Sequence, residues 1–234
     1  MKGRHIFFAI TAVILPFILM MNSVVLVFTT EFLQYEYKTP EFPEDPFGFT
    51  LDERIEYGSA SVKYITNVLD KLPEDYLAGL KKKDGTPLYN ERELSHMEDV
   101  KIVFQRSRAV MAAMVVFVII TAWLVSKKPD ALLGFLRSLE VGSILTLALI
   151  VGVGFGIVTG FDAFFDAFHH LFFTGDSWLF YADDSLIRLF PEPLWVNGFT
   201  LAAILTAIFA VLILIITILA GRKIRIRKAS LQNL

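Results

Sequence analysis

Four long apolar runs alternate with charged segments along this 234-residue chain. The runs cover residues 6–28, 109–125, 139–159 and 199–220. A helix needs about 17–25 apolar residues to cross the hydrocarbon core of a bilayer, so each run is predicted to be a transmembrane helix. The segments between the runs follow helical spacing, with no strand-like alternation. The pattern therefore predicts an all-α integral membrane protein with four transmembrane helices.

The first run is longer than the ~7–15 residues of a signal-peptide core, and no small-residue cleavage site follows it. We therefore interpret it as a retained anchor. After it, Thr50-Leu-Asp-Glu53 matches a capping box and predicts the start of a helix. The predicted parts are a first transmembrane helix (1–30), an extracytoplasmic helical domain (31–108), a second transmembrane helix (109–125), a cytoplasmic loop (126–138), a third transmembrane helix (139–160), an extracytoplasmic histidine-bearing interfacial segment (161–198), and a fourth transmembrane helix with a basic cytoplasmic tail (199–234).

Composition and charge agree with this organisation and orient it. Hydrophobic residues make up 55% of the chain, and its mean hydropathy of +0.57 is too high for an ordinary soluble domain. Lysine and arginine cluster at the N-terminus, in the loop at 126–138 and in the C-terminal tail, whereas the two longer loops are acidic. The positive-inside rule places both termini in the cytoplasm and both acidic loops outside. The basic tail is interpreted as a topology signal that contacts membrane phospholipids, and no nucleic-acid partner is predicted.

Residues 161–173 contain six phenylalanines and two histidines, and this segment is too short to span a bilayer. It is predicted to be a short re-entrant or interfacial helix. Asp162, Asp166 and His169 share one of its faces, and ionisable groups at membrane depth suggest a functional site. The alternative is that His169 only anchors the helix at the head-group boundary. His170 points about 100° away from His169. The predicted substrate-binding residues are Phe164, Phe168, Phe172 and Trp178.

A second histidine, His96, follows the capping-box-like start Asn90-Glu-Arg-Glu93. Arg92, Glu93 and Asp99 lie at i−4, i−3 and i+3, within side-chain reach. A carboxylate beside a histidine can fix its tautomer, so these three residues and Asp162 are predicted to support the site. The alternative is a surface histidine among solvated charges. His5 is predicted to be cytoplasmic and is excluded.

The chain contains no cysteine, which excludes a cysteine nucleophile, a thioester on the enzyme and a cysteine-ligated zinc. A phosphate-binding GxxxxGK[ST] run is also missing. No cofactor and no metal are therefore predicted.

Two stretches together resemble the Lit proteins, the lipoprotein intramolecular transacylases of Gram-positive bacteria. The first stretch is Leu88-Tyr-Asn-Glu-Arg-Glu-Leu-Ser-His-Met-Glu-Asp-Val-Lys101. The second comprises residues 164–173, followed by Trp178, Asp184-Ser-Leu-Ile187 and Phe190-Pro191. The resemblance covers most of the chain, and its matching histidines are His96 and His169.

The resemblance implies an enzyme that acts on diacylglyceryl-modified lipoproteins. Such enzymes move the sn-2 acyl chain to the α-amine of the N-terminal cysteine, which gives a lyso-form lipoprotein. An ester becomes an amide, so no ATP is needed. For this reaction His169 is assigned as the general base, and His96 as the donor to the developing oxyanion or to the departing glycerol oxygen. Asp99 would orient His96, and the phenylalanines would hold the acyl chains.

Two other functions fit the sequence. One is a metal-dependent membrane lipid hydrolase, with His96, Asp99, Asp166 and His169 as ligands. The other is a non-enzymatic membrane receptor or accessory subunit. In that case the histidines could be replaced without loss of any chemistry.

The predicted orientation has a direct test. Because both acidic loops are expected outside, a reporter inserted between Asp84 and Gly85 should be extracytoplasmic, and a reporter fused after Leu234 should be cytoplasmic. Paired alkaline phosphatase and fluorescent-protein fusions measure the two locations. The opposite pattern would contradict an extracytoplasmic active face.

Overall fold

The computed structural model describes residues 2–67, 72–73, 75–175 and 177–232. Over these ranges the chain forms eight helices and no β-strand, with one isolated bridge between Lys81 and Pro87. The helices are α1 (Lys2–Val27), α2 (Thr30–Tyr37), α3 (Leu51–Thr66), α4 (Glu91–Val125), α5 (Pro129–Thr159), α6 (Phe161–Phe172), α7 (Ser185–Leu189) and α8 (Glu192–Gln232). The prediction of an all-α protein is confirmed for the described part of the chain.

Four of the described helices, α1, α4, α5 and α8, are long and apolar enough to cross a membrane. They match the four predicted runs, except that α1 ends one residue before the first run does, and the other three helices extend well beyond their runs. α4 begins at Glu91 and continues without a break to Val125. α5 begins at Pro129, so most of the segment 126–138 that we predicted to be a loop is helical. Proline suits the first position of a helix and Asp130 suits its first turn, which explains this early start.

One compact unit consists of Met1–Val24, Ala109–Phe155 and Leu201–Leu234. Its core includes Leu15, Leu19 and Ala210. The Thr206 hydroxyl donates to the Ser23 hydroxyl at 2.9 Å, a hydrogen bond between α8 and α1. Gly142 lets α5 approach α1 closely, because a Cβ there would lie 2.9 Å from the Ala12 carbonyl oxygen. Small residues and polar interhelical contacts are typical of helix packing in membranes.

The second unit consists of Val25–Arg108 and Gly156–Thr200. In this unit the predicted capping box at Thr50–Glu53 is present and starts α3. α2 packs against α3 at Gly58, where a Cβ would lie 3.1 Å from the Leu33 side chain. All of the predicted site residues belong to this unit.

α7 is fixed from one side by a buried ion pair. The Arg188 guanidinium donates to Asp45 through Nη2 at 2.8 Å and through Nε at 3.1 Å. The same guanidinium lies 3.4 Å above the centre of the Phe49 ring. In addition, the Tyr37 hydroxyl donates to the Leu189 carbonyl. These contacts hold α7 against α2 and against the segment that leads into α3.

The N-terminus of α4 holds α7 from the other side through the buried carboxylate of Glu93. Glu93 Oε2 accepts from the Asn90 amide and Oε1 accepts from the Leu186 amide, both at 2.7 Å. Asn90 Oδ1 accepts in return from the Glu93 amide at 3.0 Å, so the predicted capping-box-like start is present. The Asn90 side chain also donates to Asp184 at 2.9 Å. One carboxylate therefore joins the first turns of two helices that are far apart in sequence.

Replacing Glu93 by alanine should destabilise this junction. The buried Leu186 amide would lose its acceptor, and an unpaired buried group costs about 1–3 kcal/mol. Denaturant unfolding of Glu93→Ala in detergent micelles measures the loss of free energy. Glu98→Ala is the matched control, because Glu98 is exposed on the same helix and its loss should change stability by less than about 0.5 kcal/mol. Equal stability of the two variants would contradict the assigned role.

Candidate active site

His96 of α4 and His169 of α6 lie side by side in the second unit. Their ring centres are 6.0 Å apart and the ring planes are inclined by 26°. The two residues are only 5% and 8% exposed. The structure thus brings together the two histidines that the sequence singled out, although they are 73 positions apart in the chain. A pair of stacked, buried imidazoles cannot easily carry two positive charges at once.

Aromatic rings enclose this histidine pair. Phe173 contacts both histidines, with ring centres 5.1 Å from His96 and 5.7 Å from His169. Phe180 packs edge-on against His96 at 5.3 Å. Trp178 stacks on His169 at 4.7 Å with planes inclined by 29°. The imidazoles therefore lie in an apolar environment from which water is largely excluded.

The backbone of α6 sets the tautomer of His169. His169 Nδ1 lies 2.8 Å from the Phe165 carbonyl oxygen, one turn earlier in the helix. A carbonyl oxygen only accepts, so Nδ1 carries the proton and donates it. Nε2 of the neutral ring is then an acceptor with a free lone pair. This is the form that can take a proton from a substrate.

Two other nitrogen atoms of the site have no hydrogen-bond partner within the described structure. They are His96 Nδ1 and Trp178 Nε1, and both are buried. Buried polar groups in proteins are nearly always paired, so each exception calls for an explanation.

Burial lowers the pKa of His169 below its usual value of 6.5, and the nearby His170 lowers it further. The Phe165 carbonyl and the Asp166 carboxylate oppose this shift. The neutral form of His169 therefore persists to a lower pH than in a solvated histidine.

Arg92 reaches the site indirectly. Its guanidinium donates to Asp184 at 2.8 Å and lies 5.3 Å above the Phe180 ring. Asp184 also accepts from the Tyr181 amide at 2.8 Å, which holds the loop that carries Phe180. Arg92 thus positions a ring that covers His96 and makes no hydrogen bond to His96 itself in the described structure. Glu93 acts in the same indirect way, through the junction with α7.

Asp99 and Asp162, which were predicted to support the histidines, do not contact them directly in the described structure. Asp99 is exposed and, among the described contacts, forms no hydrogen bond with His96. Helical spacing placed it near His96, but the imidazole is turned into the aromatic rings while the carboxylate faces outward. Asp162 is also exposed, and the described contacts include no hydrogen bond between it and His169, whose Nδ1 is occupied by the helix backbone. A supporting role for Asp99 and Asp162 therefore stays a prediction that these contacts do not carry.

The predicted substrate-binding phenylalanines form a continuous row that ends at His169. Phe164 and Phe168 both pack edge-on against Phe199, each at 5.4 Å. Phe168 in turn contacts Phe172 at 5.0 Å and His169 at 5.7 Å. Phe172 is 42% exposed. The row thus leads from an exposed ring to the buried histidine.

His170 differs from His169 in its surroundings. It is exposed, and its Nδ1 lies 3.0 Å from the Asp166 carbonyl oxygen and 3.5 Å from the Asp166 carboxylate. Its ring touches only the edge of the Trp178 indole, at 5.4 Å. His170 therefore borders the site without entering the stack of buried rings.

The ligand set of the metal-dependent alternative is not assembled. Within the described ranges, no group of three or more histidine, aspartate and glutamate side chains lies close enough to hold a metal ion. Asp99 and Asp166 face outward while His96 and His169 face each other. The arrangement suits proton transfer and hydrogen bonding by the histidines themselves.

The sequence did not predict the part that Phe173, Phe180 and Asp184 play in the site. Phe173 ends the phenylalanine-rich segment, and Phe180 lies two residues after Trp178, so local aromatic density was the available signal for both. Asp184 belongs to the stretch quoted for the family resemblance but gave no chemical signal of its own.

An all-α fold with four apolar helices and a buried histidine pair defines a multi-pass membrane protein with a candidate acid–base site. The family model for the lipoprotein intramolecular transacylase Lit matches residues 8–195, and the chain belongs to this family. A relative from Aquifex aeolicus (strain VF5), described as an uncharacterized protein, is 30% identical over 223 residues, which cover 94% of this chain and 96% of the relative.

Solved structures show the same fold. A histidine-to-arginine variant of the membrane integral lipoprotein intramolecular transacylase Lit from Bacillus cereus matches with a TM-score of 0.74 and 20% identity, covering 97% of this chain and 95% of that chain. Another structure of the Bacillus cereus protein matches with a TM-score of 0.69 and 19% identity, covering 98% and 99% of the two chains.

The electrostatic surroundings of His169 predict opposite effects of two neighbouring substitutions. The Asp166 carboxylate raises the pKa of His169, so Asp166→Asn should lower that pKa further. His170 lowers the pKa of His169, so His170→Gln should raise that pKa. Nitrogen-15 NMR titration of histidine-labelled protein in micelles at low ionic strength measures both shifts, with His169→Gln used to assign the signal.

Asp162→Asn is the control for this titration, because Asp162 is exposed on the same helix and is not among the groups that shift the pKa of His169. Shifts of the same sign for Asp166→Asn and His170→Gln would contradict the arrangement of charges described here.

Proposed function

We propose that this protein moves the sn-2 acyl chain of a diacylglyceryl-modified lipoprotein to the α-amine of that lipoprotein's own N-terminal cysteine. The product is a lyso-form lipoprotein with an N-acyl group. The observation that carries the proposal is the buried His96–His169 pair, in which the hydrogen bond of Nδ1 leaves Nε2 as the acceptor nitrogen of His169. Membership of the Lit family supports the same reaction class.

His169 is the general base in this proposal. An α-amine has a reference pKa of about 7.7–8 and must lose a proton before or during its attack on an ester carbonyl. A neutral imidazole with a free Nε2 can accept that proton. The hydrogen bond from Nδ1 to the Phe165 carbonyl fixes the required tautomer, and burial keeps the ring neutral below its usual pKa.

His96 is the hydrogen-bond donor of the pair. It faces His169 and lies among Phe173 and Phe180, where a hydrogen bond to a developing charge is stronger than in water. It would donate to the oxyanion of the tetrahedral intermediate or to the departing glycerol oxygen. Conversion of an ester to an amide is downhill, so these residues need no cofactor to drive the reaction.

The row of phenylalanines is proposed to hold the acyl chains. Phe172 is partly exposed and Phe168 connects it to His169, so a chain that lies along these rings would place its ester next to the base. Trp178 completes the wall beside His169. We place this site on the extracytoplasmic side of the cell membrane, where lipoproteins and phospholipids present their head groups, because both acidic loops are expected there.

The test uses the full chain in phospholipid vesicles with a synthetic diacylglyceryl lipopeptide that has a free N-terminal amine. The wild-type protein should yield the N-acyl lyso-form, identified by tandem mass spectrometry because the product is an isomer of the substrate. His96→Ala and His169→Ala should each lower the rate by about 10²–10⁴-fold. The double variant should resemble either single one, because residues that act as a unit are not additive.

His170→Ala is the matched control and should retain most of the activity, because His170 is exposed and outside the stack. A second lipopeptide in the same vesicles, with isotopically labelled chains and a blocked amine, tests the intramolecular path. Labelled chains on the first peptide would contradict that path. Release of free fatty acid in place of transfer would favour a hydrolase, and an unchanged rate in both histidine variants would rule out the assigned pair.

A further inference from the structure

Trp178 presents a hydrogen-bond donor that the folded protein does not use. The residue is 8% exposed, and its Nε1 is buried without a partner in the described structure. An indole nitrogen is a donor only, so its proton needs an acceptor. Trp195 shows the usual solution, because its Nε1 donates to the Phe190 carbonyl at 2.9 Å. The two tryptophans thus differ in whether the protein itself provides an acceptor.

The unpaired N–H lies next to the proposed base. The Trp178 ring stacks on His169 with centres 4.7 Å apart and planes inclined by 29°, so the indole lies directly against the imidazole. The rings that contact Trp178 in the described structure are those of His169 and His170, and neither ring offers an oxygen. The nearby backbone carbonyls of Phe165 and Asp166 lie within hydrogen-bond distance of the Nδ1 atoms of these two histidines. An acceptor for Trp178 therefore has to arrive with a bound molecule.

We propose that the Trp178 indole N–H is the oxyanion donor of the reaction, an inference that rests on the proposed function. The ester carbonyl carbon that the amine attacks must lie beside His169 Nε2. Its oxygen is then the acceptor closest to the indole. A hydrogen bond to a charged oxygen is roughly twice as strong as one to a neutral oxygen, so the donor favours the tetrahedral intermediate over the bound ester.

The proton and bond changes balance in this arrangement. The amine nitrogen bonds to the carbonyl carbon while one amine proton passes to His169 Nε2 and the carbonyl oxygen becomes an oxyanion held by Trp178. The intermediate then collapses, the bond from carbon to the glycerol oxygen breaks, and that oxygen takes a proton from His96. The proton on His169 replaces the one that His96 gave up. In total, one proton moves from the amine to the glycerol hydroxyl, and no oxidant or second substrate is needed.

This assignment also separates the roles of the two histidines. The proposed function leaves two acceptors for the proton of His96, the oxyanion and the departing glycerol oxygen. With Trp178 on the oxyanion, His96 donates to the departing glycerol oxygen, and in this proposal its proton is replaced from His169, whose ring centre lies 6.0 Å away. Trp178 then contacts the reacting atoms, so it is a catalytic residue as well as part of the wall of the site.

The test separates the N–H from the aromatic ring. Trp178→Phe keeps an aromatic ring, although a smaller one, and removes the donor. Replacement of Trp178 by benzothienylalanine keeps the shape of the indole and puts sulfur in place of the N–H. Both variants of the full chain, in phospholipid vesicles with the diacylglyceryl lipopeptide, should lose about 10²–10³-fold in kcat, with KM changed far less. Trp195→Phe is the matched control and should keep its kcat, because Trp195 donates to the backbone.

Two outcomes would overturn the inference while leaving the proposed function intact. One is a benzothienylalanine variant as active as the wild type. The other is a loss that falls on KM alone. A wild-type protein that produces no N-acyl lipopeptide at all would overturn the proposed function itself. Thermal unfolding of each variant in the same detergent shows whether the variant is folded. If Trp178→Phe does not fold, the activity of the benzothienylalanine variant alone tests the role of the N–H.

Discussion

The buried carboxylate of Glu93 is the contact on which the geometry of the site depends. It accepts hydrogen bonds from the first turn of α4 and from the first turn of α7, and so it fixes residues 184–186 next to the start of α4. His96 follows Glu93 by three residues on the same helix and is therefore carried to a defined place. The loop before α7, which carries Trp178 and Phe180, is anchored at the same junction through Asp184.

The surroundings of the two histidines run against the usual rules for stable protein interiors. Burial among phenylalanine rings makes a charged imidazole costly, and Nδ1 of His96 and Nε1 of Trp178 have no hydrogen-bond partner among the described residues. An unpaired buried donor or acceptor costs about 1–3 kcal/mol, which the rest of the fold must offset. Natural proteins break such local rules mainly at functional sites, so the energetic cost of this cluster is itself an argument that it binds something.

The membrane helices and the pair of histidines could be predicted from the sequence for different reasons. Apolar length alone identifies a transmembrane helix, because a bilayer imposes one thickness on every span. The histidines were marked by the dense phenylalanine segment and by the family resemblance. Asp99 and Asp162 were assigned from helical spacing, which shows which side chains can be neighbours on one helix but not which surface another element covers. The partner of Glu93 is a backbone amide 93 positions away, and no local pattern could reveal it.

The dry enclosure bears on the choice between transfer and hydrolysis. An imidazole base can activate water as readily as an amine, so the base alone does not make a transacylase. His96 and His169 are 5% and 8% exposed, and aromatic rings occupy the space around them, so little water reaches the base. An amine in the same molecule as the ester has an effective molarity of about 10⁵–10⁸ M when it is well oriented, far above the concentration of water. A site that orients one lipoprotein and excludes solvent therefore favours the amide product without any nucleophile of its own.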